Sequence, residues 1–392
     1  MALTVDSDVL AFFTAYNGGQ NLVGRDSSGR EYWIYAQSDG KIYMKSQNLS
    51  IPGNSPSLSL KLQLTGVGGV LDPGALTAFS PSMRVVGDEI FLIYTSELFS
   101  GDLRFARCTN INAYDQLTSW KKADGVTQGP ETLGTVLGDI PGFGLAVRNI
   151  SSTIRIAVSV SVRQTGTQEV FTHYWNGSVW SMSSNLTAGV LTLTPFTHID
   201  SSGFIHVSFL ETPSAPNSVV YYRKSSSANS VAAFSASLQI LSDLNSSRAF
   251  FAFLMNQFDE MLIVGWSSVT GYKYNFFNGS WTQGISGVIF DSDSAGANNY
   301  GGGWENTNGD LRWSYERAVD DDLFELVLVR SPVSDSVSLL DPPGTGTWES
   351  TGALNGPGTT SDLRPFLYID GVILLMNNVA LNTPSVGGDP FT

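Results

Sequence analysis

A polar turn followed at once by the most apolar strand of its neighbourhood appears seven times along this chain, and few folds can absorb such a repeat. The turns are Asp26–Gly29, Val86–Asp88, Asn149–Ser152, Asp200–Gly203, Asn256–Asp259, Asn306–Gly309 and Asp370–Gly371. Their centres, near 26 and 370 at the extremes, leave six intervals over 344 residues, or about 57 each. Seven units of that size need about 400 residues, and the chain has 392. The strands after the turns are short, β-branched and aromatic, as in Glu31–Gln37, Glu89–Thr95, Thr153–Val160, Phe204–Leu210 and Val372–Met376. No window carries a 3.6-residue apolar period with a cap at each end.

Each unit continues with a third strand, often with adjacent aromatics: Lys41–Lys45, Leu103–Arg107, Val170–Trp175, Val219–Arg223, Tyr272–Phe277 and Phe324–Arg330. A fourth follows, and in four units it opens with Trp120, Trp180, Trp281 or Trp348. Two of these tryptophans are introduced by an Asn-Gly-Ser turn, in Tyr174–Trp180 and Phe276–Trp281, and Asn-Gly between apolar runs marks a hairpin. Four antiparallel strands per unit, repeated radially, describe the blade of a β-propeller. The expectation is therefore an all-β, seven-bladed β-propeller of four-stranded antiparallel blades in one domain over residues 1–392, with six blades as the alternative. The seventh unit holds two strands, Leu363–Ile369 and Val372–Met376, before an irregular tail over 379–392. The spare strand Val9–Tyr16, within a closing segment over 1–19, is expected to complete that last blade and remove two exposed edges.

Composition excludes several functions. Thirty-five acidic against 21 basic residues give a net charge of −14, the wrong sign for nucleic acid or an anionic membrane. Apolar runs are of strand length only, and the first residues have no basic region of the kind a signal peptide needs. The single Cys108 permits no internal disulfide and no Cys/His zinc framework. Cofactors are expected to be none.

The Asp-x-x-Gly turns, each followed by an alternating strand, an aromatic strand and Trp, resemble the sialidase-like propellers of the bacterial-neuraminidase-repeat type. His198–Ser227 and Ser28–Ser46 are the passages that carry the resemblance. It covers nearly the whole chain in layout, although the family's Ser-x-Asp-x-Gly-x-Thr-Trp box is intact nowhere. The low charge and the Gly/Ser/Thr/Asn-rich turns also resemble bacteriophage virion proteins. This implies a non-enzymatic binding or structural module on a virion, contacting host glycan or neighbouring virion proteins, with homo-oligomerisation open. A cytoplasmic location is the alternative if the chain is not viral. The other functional reading is an exo-glycosidase of the sialidase-like class.

Candidate residues follow from that layout. The resemblance places the functional face on loops between second and third strands and on loops entering the innermost strand, hence Asp39, Glu97, Gln164, Glu211, Ser267, Arg317 and Asn377. Trp304, with Asn298 and Asn299 beside it, is the aromatic with which we expect a sugar to stack. Sialidase chemistry implies converging arginines, for which Arg84, Arg248 and Arg364 are the candidates beside Arg25 and Arg148 on inner strands. Each could equally bind a buried carboxylate or a backbone carbonyl. Asp320, Asp321 and Asp322 form the one weak cation-binding run. His198 and His206 flank the Asp200–Gly203 turn, and a two-residue turn at Ser201–Ser202 would set His198 opposite Ile205, facing away from His206. Trp120, Trp180, Trp281 and Trp348 are expected to pack between blades, whereas Trp33, Trp266 and Trp313, like Trp304, break the repeat register or lie near loops.

Overall fold

The computed structural model describes residues 3–6, 23–28, 30–48, 61–75, 79–96, 101–136, 142–164, 167–187, 191–214, 217–245, 251–267, 269–282, 287–292, 301–305, 309–316, 323–329, 334–339, 354–355, 363–370 and 373–380. The fold is all-β, with two single-turn 3-10 segments, Ile111–Ala113 and Leu117–Ser119, among the described residues. Among the described residues the strands form seven separate sheets, built of antiparallel pairs apart from one parallel pair between Val23–Arg25 and Leu354–Asn355.

Sheet 1 contains Val23–Arg25, Arg30–Ala36, Ile42–Asn48 and Leu62–Gln63, with Leu354–Asn355 at its edge; sheet 2 contains Phe79–Val86, Glu89–Thr95, Gly101–Cys108, Trp120–Lys121 and Glu131–Val136. Sheet 3 is Gly142–Ile150, Thr153–Gln164, Thr167–Trp175 and Trp180–Met182. Sheet 4 is Leu191–Ile199, Ile205–Ser214, Asn217–Lys224 and Leu238–Asn245. Sheet 5 is Phe251–Met255, Met261–Ser267, Gly271–Phe277 and Val288–Asp291, and sheet 6 is Gly301–Glu305, Leu311–Glu316, Leu323–Val329 and Ser334–Leu339. Sheet 7 joins Leu363–Asp370 and Ile373–Ala380 to Leu3–Asp6. The N-terminal segment therefore pairs with the last sheet, in the register Leu3↔Met376, one strand ahead of Val9–Tyr16, which lies outside the described residues.

The sheets stack through apolar faces made by period-two alternation. Tyr32 and Ile34 of sheet 1 meet Ile90, Leu92 and Tyr94 of sheet 2, while Phe91 and Ile93 turn the other way onto Ile156, Val158 and Val160 of sheet 3. Ala157 and Tyr174 pack on Val207 and Phe209, and one cluster spans sheets 4, 5 and 6 through Leu210, Trp266 and Trp313. Truncating such a residue to alanine costs about 2–5 kcal/mol.

First strands run beside first strands: Val23–Arg25 against Phe79–Val86, then Gly142–Ile150, Leu191–Ile199, Phe251–Met255 and Gly301–Glu305 in order. Gly301–Glu305 in turn lies against Leu354–Asn355, which pairs parallel with Val23–Gly24. The approach is backbone-close: a Cβ on Gly144 would stand 2.8 Å from the Pro195 carbonyl oxygen.

Three sequence expectations need correction here. Trp33, Trp266 and Trp313 are buried in sheet faces, at 0%, 1% and 6% exposure, so they are not loop aromatics; Trp33 and Trp266 stand in strands buried along both faces. Trp281 does not open a fourth strand; it makes an isolated bridge with Phe277, and the fourth strand of its sheet is Val288–Asp291. His198 stands directly opposite His206, not Ile205. The reason is the turn, which spans Asp200–Phe204 between the paired Ile199 and Ile205, with Gly203 at φ +88°. The described repeat tryptophans do pack between sheets: Trp120 in the cluster of sheets 1 and 2, Trp180 on Phe105, and Trp281 on Tyr222.

Candidate functional site

Each sheet has two ends, one at the turn between its first and second strands and the other at the rim between its second and third. Charged side chains gather at both.

At the turn end the repeat is a side-chain cap. Asp26 Oδ1 accepts from the backbone N–H groups of Ser28 and Arg30, and Tyr32 donates its hydroxyl to Oδ2. In sheet 4 Asp200 Oδ1 accepts from the N–H groups of Ser202 and Phe204, while Oδ2 meets His206 Nε2 at 3.1 Å and Lys224 Nζ at 3.4 Å. Asn256 repeats the cap in sheet 5 toward Phe258 and Glu260, and its amide also donates to the Gly309 carbonyl of sheet 6. Short polar side chains that satisfy the turn backbone are the reason Asp and Asn recur here. The turns are then tied to one another: Ser27 donates to Asp88, and Ser201 donates through its N–H and its hydroxyl to Asp259.

The inner-strand cations belong to the same fabric. Arg84 Nε donates to the Leu145 carbonyl of the next sheet at 2.8 Å, and burial pushes the Arg84 pKa down to about 9. Arg148 donates to the Ile199 carbonyl of the next sheet and reaches Asp259 two sheets away at 2.6 Å. The His198 ring meets the Phe253 carbonyl, again one sheet on, at 2.7 Å. Side chains from first strands thus clasp backbone from sheet to sheet. Among the candidates for an arginine triad, Arg84 is held in this way. Arg364 pairs with Val379 in sheet 7, where the description stops at the backbone, and Arg248 lies outside the described residues.

At the rim the charged groups hold one another. Asp72, on the segment leading from sheet 1 to sheet 2, is 5% exposed and accepts from the Tyr94 hydroxyl and from Arg104 Nη1, both at 2.8 Å. Arg104 also reaches Asp102 at 3.3 Å, and its Nε is buried with no hydrogen-bond partner among the described residues. Burial opposes the Arg104 charge, but Asp72 above all the other neighbours outweighs it and raises the guanidinium pKa; burial, then Asp72, raises that of Tyr94. The Gly66 backbone, bonded to the Asp72 carbonyl, connects this cluster to Lys41, whose side chain packs where a Gly66 Cβ would point. Lys41 pairs with Asp39 at 3.3 Å, and Asp39 accepts the Tyr43 hydroxyl at 2.6 Å. Burial works to raise the Asp39 pKa, but the bonds from Tyr43 and Lys41 bring it below the ordinary carboxylate value. Tyr43 stacks on Tyr35, and Lys61 lies over the Tyr43 ring at 4.0 Å while bonding Gln37. The result is an arc of cations, carboxylates and a phenol beside an aromatic ring, the donor and acceptor set that a hydroxyl-rich ligand requires.

Of the sequence candidates, Asp39 lies in this arc. Glu211 lies near the rim of sheet 4, three residues before its strand ends at Ser214, and is 7% exposed; its charge acts on Tyr221 and Arg223. Ser267 holds the corresponding position in sheet 5 and is fully buried. Trp304 sits in strand Gly301–Glu305 opposite Arg312, described to its backbone only. Glu97, Asn298, Asn299, Arg317 and Asp320–Asp322 lie outside the described residues. Among the described residues no group of three His, Cys, Asp or Glu could hold a metal, and His206 is bound between Asp200 and the Tyr222 hydroxyl. Asp72, Tyr94, Arg104 and Lys61 were missed by the sequence reading. The available signal was Arg104 itself, a cation on the face of a strand that otherwise faces the core.

No family model matches the chain, and no curated protein matches it. Solved structures do. The chain is similar to polysaccharide lyase Uly1, with TM-score 0.52 and 9% identity over 93% of this chain and 90% of that one. It is similar to the fucose-specific lectin from Aleuria aurantia at TM-score 0.49 and 11% identity, covering 88% and 100% of the two chains. A Hadza microbial sialidase aligns at TM-score 0.43 and 12% identity over 93% of this chain and 66% of that one. These are β-propellers, and the similarity to Uly1 supports the propeller fold for this chain; at such identities it carries the fold alone.

Proposed function

We propose that this propeller is a glycan-binding module that holds its ligand at the rim, over sheets 1 and 2, without turning it over. The observation that carries this reading is the arc from Arg104 and Asp72 to Asp39, Tyr43 and Lys61, where side chains bond mostly to other side chains. A sugar can exchange with such partners hydroxyl for hydroxyl while the backbone stays in place. The similar lyase acts, by its name, on polysaccharides, which agrees with the reading. Binding without turnover is supported by pairing: glycoside hydrolysis needs two carboxylates free to act across one bond, whereas Asp39, Asp72 and Asp102 are each tied to a cation. A glycan microarray tests this: the protein should bind a defined subset of glycans, and Lys61→Ala with Tyr43→Phe, which removes the hydroxyl and keeps the buried ring, should weaken binding with little change in melting temperature. Release of reducing sugar or an unsaturated product from a bound glycan would contradict the non-enzymatic part.

The architecture we propose is a ring of first strands in which Leu354–Asn355 fills the seam between sheets 6 and 1, making six blades the working number. Its support is the run of first-strand neighbours and the parallel Val23↔Leu354 pair. A Val23→Cys, Leu354→Cys disulfide should form in the folded chain; if Arg364→Cys traps Val23→Cys instead, the ring has seven members. A virion setting rests on composition, and mass spectrometry of purified particles reads it out.

A further inference from the structure

The sequence contains two nearly identical hairpin turns, Asn176-Gly-Ser-Val before Trp180 and Asn278-Gly-Ser before Trp281, which differ by one valine. The structure shows what that residue does. In sheet 3 the pair Trp175↔Trp180 encloses four residues, and in sheet 5 the bridge Phe277↔Trp281 encloses three. The longer loop folds back on its asparagine. Asn176 Oδ1 accepts from the Ser178 N–H at 3.0 Å, the Ser178 hydroxyl at 2.9 Å and the Val179 N–H at 3.0 Å. Gly177, at φ +98°, is crowded as well: a Cβ there would lie 2.4 Å from Thr153 Cγ2 and 3.0 Å from an Arg155 nitrogen. The shorter loop has no residue equivalent to Val179 to donate. The Asn278 side chain is exposed and makes no hydrogen bond among the described residues; only its backbone N–H is engaged, to the Ser280 carbonyl. Gly279, at φ +77°, has nothing within 4 Å of where a Cβ would stand.

An asparagine followed by glycine can modify itself, because a glycine nitrogen is the least hindered nucleophile the backbone offers. The requirement is that the asparagine Cγ swing onto the next backbone nitrogen. We propose that Asn278 is a site of self-catalysed deamidation and that Asn176, in the sister turn, is protected by its cap. The Gly279 nitrogen gives up its proton to solvent base and attacks Asn278 Cγ. A C–N bond closes a cyclic imide, the Cγ–Nδ2 bond breaks, and the amide nitrogen leaves as ammonia. Water then opens the imide at either carbonyl, leaving aspartate or isoaspartate and one new negative charge. At Asn176 the same swing must first break three hydrogen bonds, which slows it by on the order of a hundredfold. The consequence is local to a seam, because Trp281 packs on Phe277 at 5.3 Å and on Tyr222 of sheet 4 at 5.2 Å. An isoaspartate lengthens the loop that sets this ring in place.

The test is incubation of the full chain at mildly alkaline pH, followed by peptide mapping that separates aspartate from isoaspartate. Product should accumulate at residue 278 on the order of a hundredfold faster than at 176. Inserting valine between Ser280 and Trp281 should restore the cap and suppress it, and deleting Val179 should expose Asn176. Asn278→Gln, which leaves the hairpin its amide, should yield no product at that peptide while the melting temperature is kept. In denaturant the two sites share the sequence Asn-Gly-Ser and should react at similar rates. Equal rates in the folded chain, or a rate difference that persists in denaturant, would overturn the proposal.

Discussion

The turn end and the rim end of the sheets use the same residue types for opposite purposes. At the turn end Arg148 is bonded to Asp259, to the carbonyl of Ile199 and to that of Gln257, so that one guanidinium joins three sheets. At the rim Arg104 is bonded to Asp72 and Asp102, and those bonds end in side chains. The first arrangement fixes backbone: removing Arg148 takes a donor from the carbonyls of Ile199 and Gln257 together. The second ties backbone only locally, where Asp72 accepts from the Ala75 N–H and Asp39 from the Lys41 N–H, and its cations bond to side chains that can exchange partners. An Arg–Asp pair therefore says little by itself; what the carboxylate and the guanidinium touch next decides whether the pair is scaffold or site.

The largest effect that would break this comparison is at Asp200. Asp200→Ala removes a cap from two N–H groups and the carboxylate from His206 and Lys224 at once, and should cost about 3 kcal/mol. Denaturant unfolding would measure it, and glycan binding by the folded fraction should be unaltered. A loss under about 0.5 kcal/mol would mean that the turn end is not the scaffold.

Acid should act on the buried histidines, of which His198 and His206 stand at this end. Burial lowers His198 to about 3, with Arg84, His206 and Arg148 adding to it, and burial lowers His173 to about 4. His206 is also lowered by burial, against the pull of Asp200. All three stay neutral in the fold while the unfolded chain binds protons below about pH 6.5. Stability is therefore full above that pH and falls as pH drops, by about 1.4 kcal/mol per unit for each histidine, until the folded values near 4 and 3 are reached. Urea midpoints across that window would show the slope. Replacing His198 by Gln, which still donates to the Phe253 carbonyl, should lower the slope by one histidine's share.

Smaller still is the seam clasp. Arg84→Met should cost about 1–2 kcal/mol through the lost bond to the Leu145 carbonyl, with no change in glycan affinity. A fall in affinity without a fall in melting temperature would move Arg84 from scaffold to site.

How much of this could be read from the sequence differs between the two ends. The turn end was legible because its chemistry is local: Asp26, Asp200 and Asn256 cap N–H groups two and four residues away. Even there, turn length misplaced His198 by one register step, since sequence does not show that Asp200–Phe204 closes over five residues. The role of Arg84 could not be chosen, because its partner carbonyl is 61 residues away on another sheet. The rim was nearly silent. Asp72 follows a strand end and precedes Pro-Gly, and reads as an ordinary loop acid until the fold brings Arg104, 32 residues on, to its carboxylate. The tryptophans are the converse case: Trp33 and Trp266 break the repeat register, yet they stand in second strands that neighbouring sheets cover on both faces, so every position there is buried.

The division of labour between the two ends is tested most directly by titrating one glycan that binds the protein, chosen from the microarray, into the wild type, Arg104→Ala and Asp259→Ala side by side, with melting temperatures taken on the same samples. The account predicts at least about a tenfold weaker Kd for Arg104→Ala, equivalent to about 1.4 kcal/mol, and an unchanged Kd with a lowered melting temperature for Asp259→Ala. An unchanged Kd for Arg104→Ala, or a weakened one for Asp259→Ala, would contradict it.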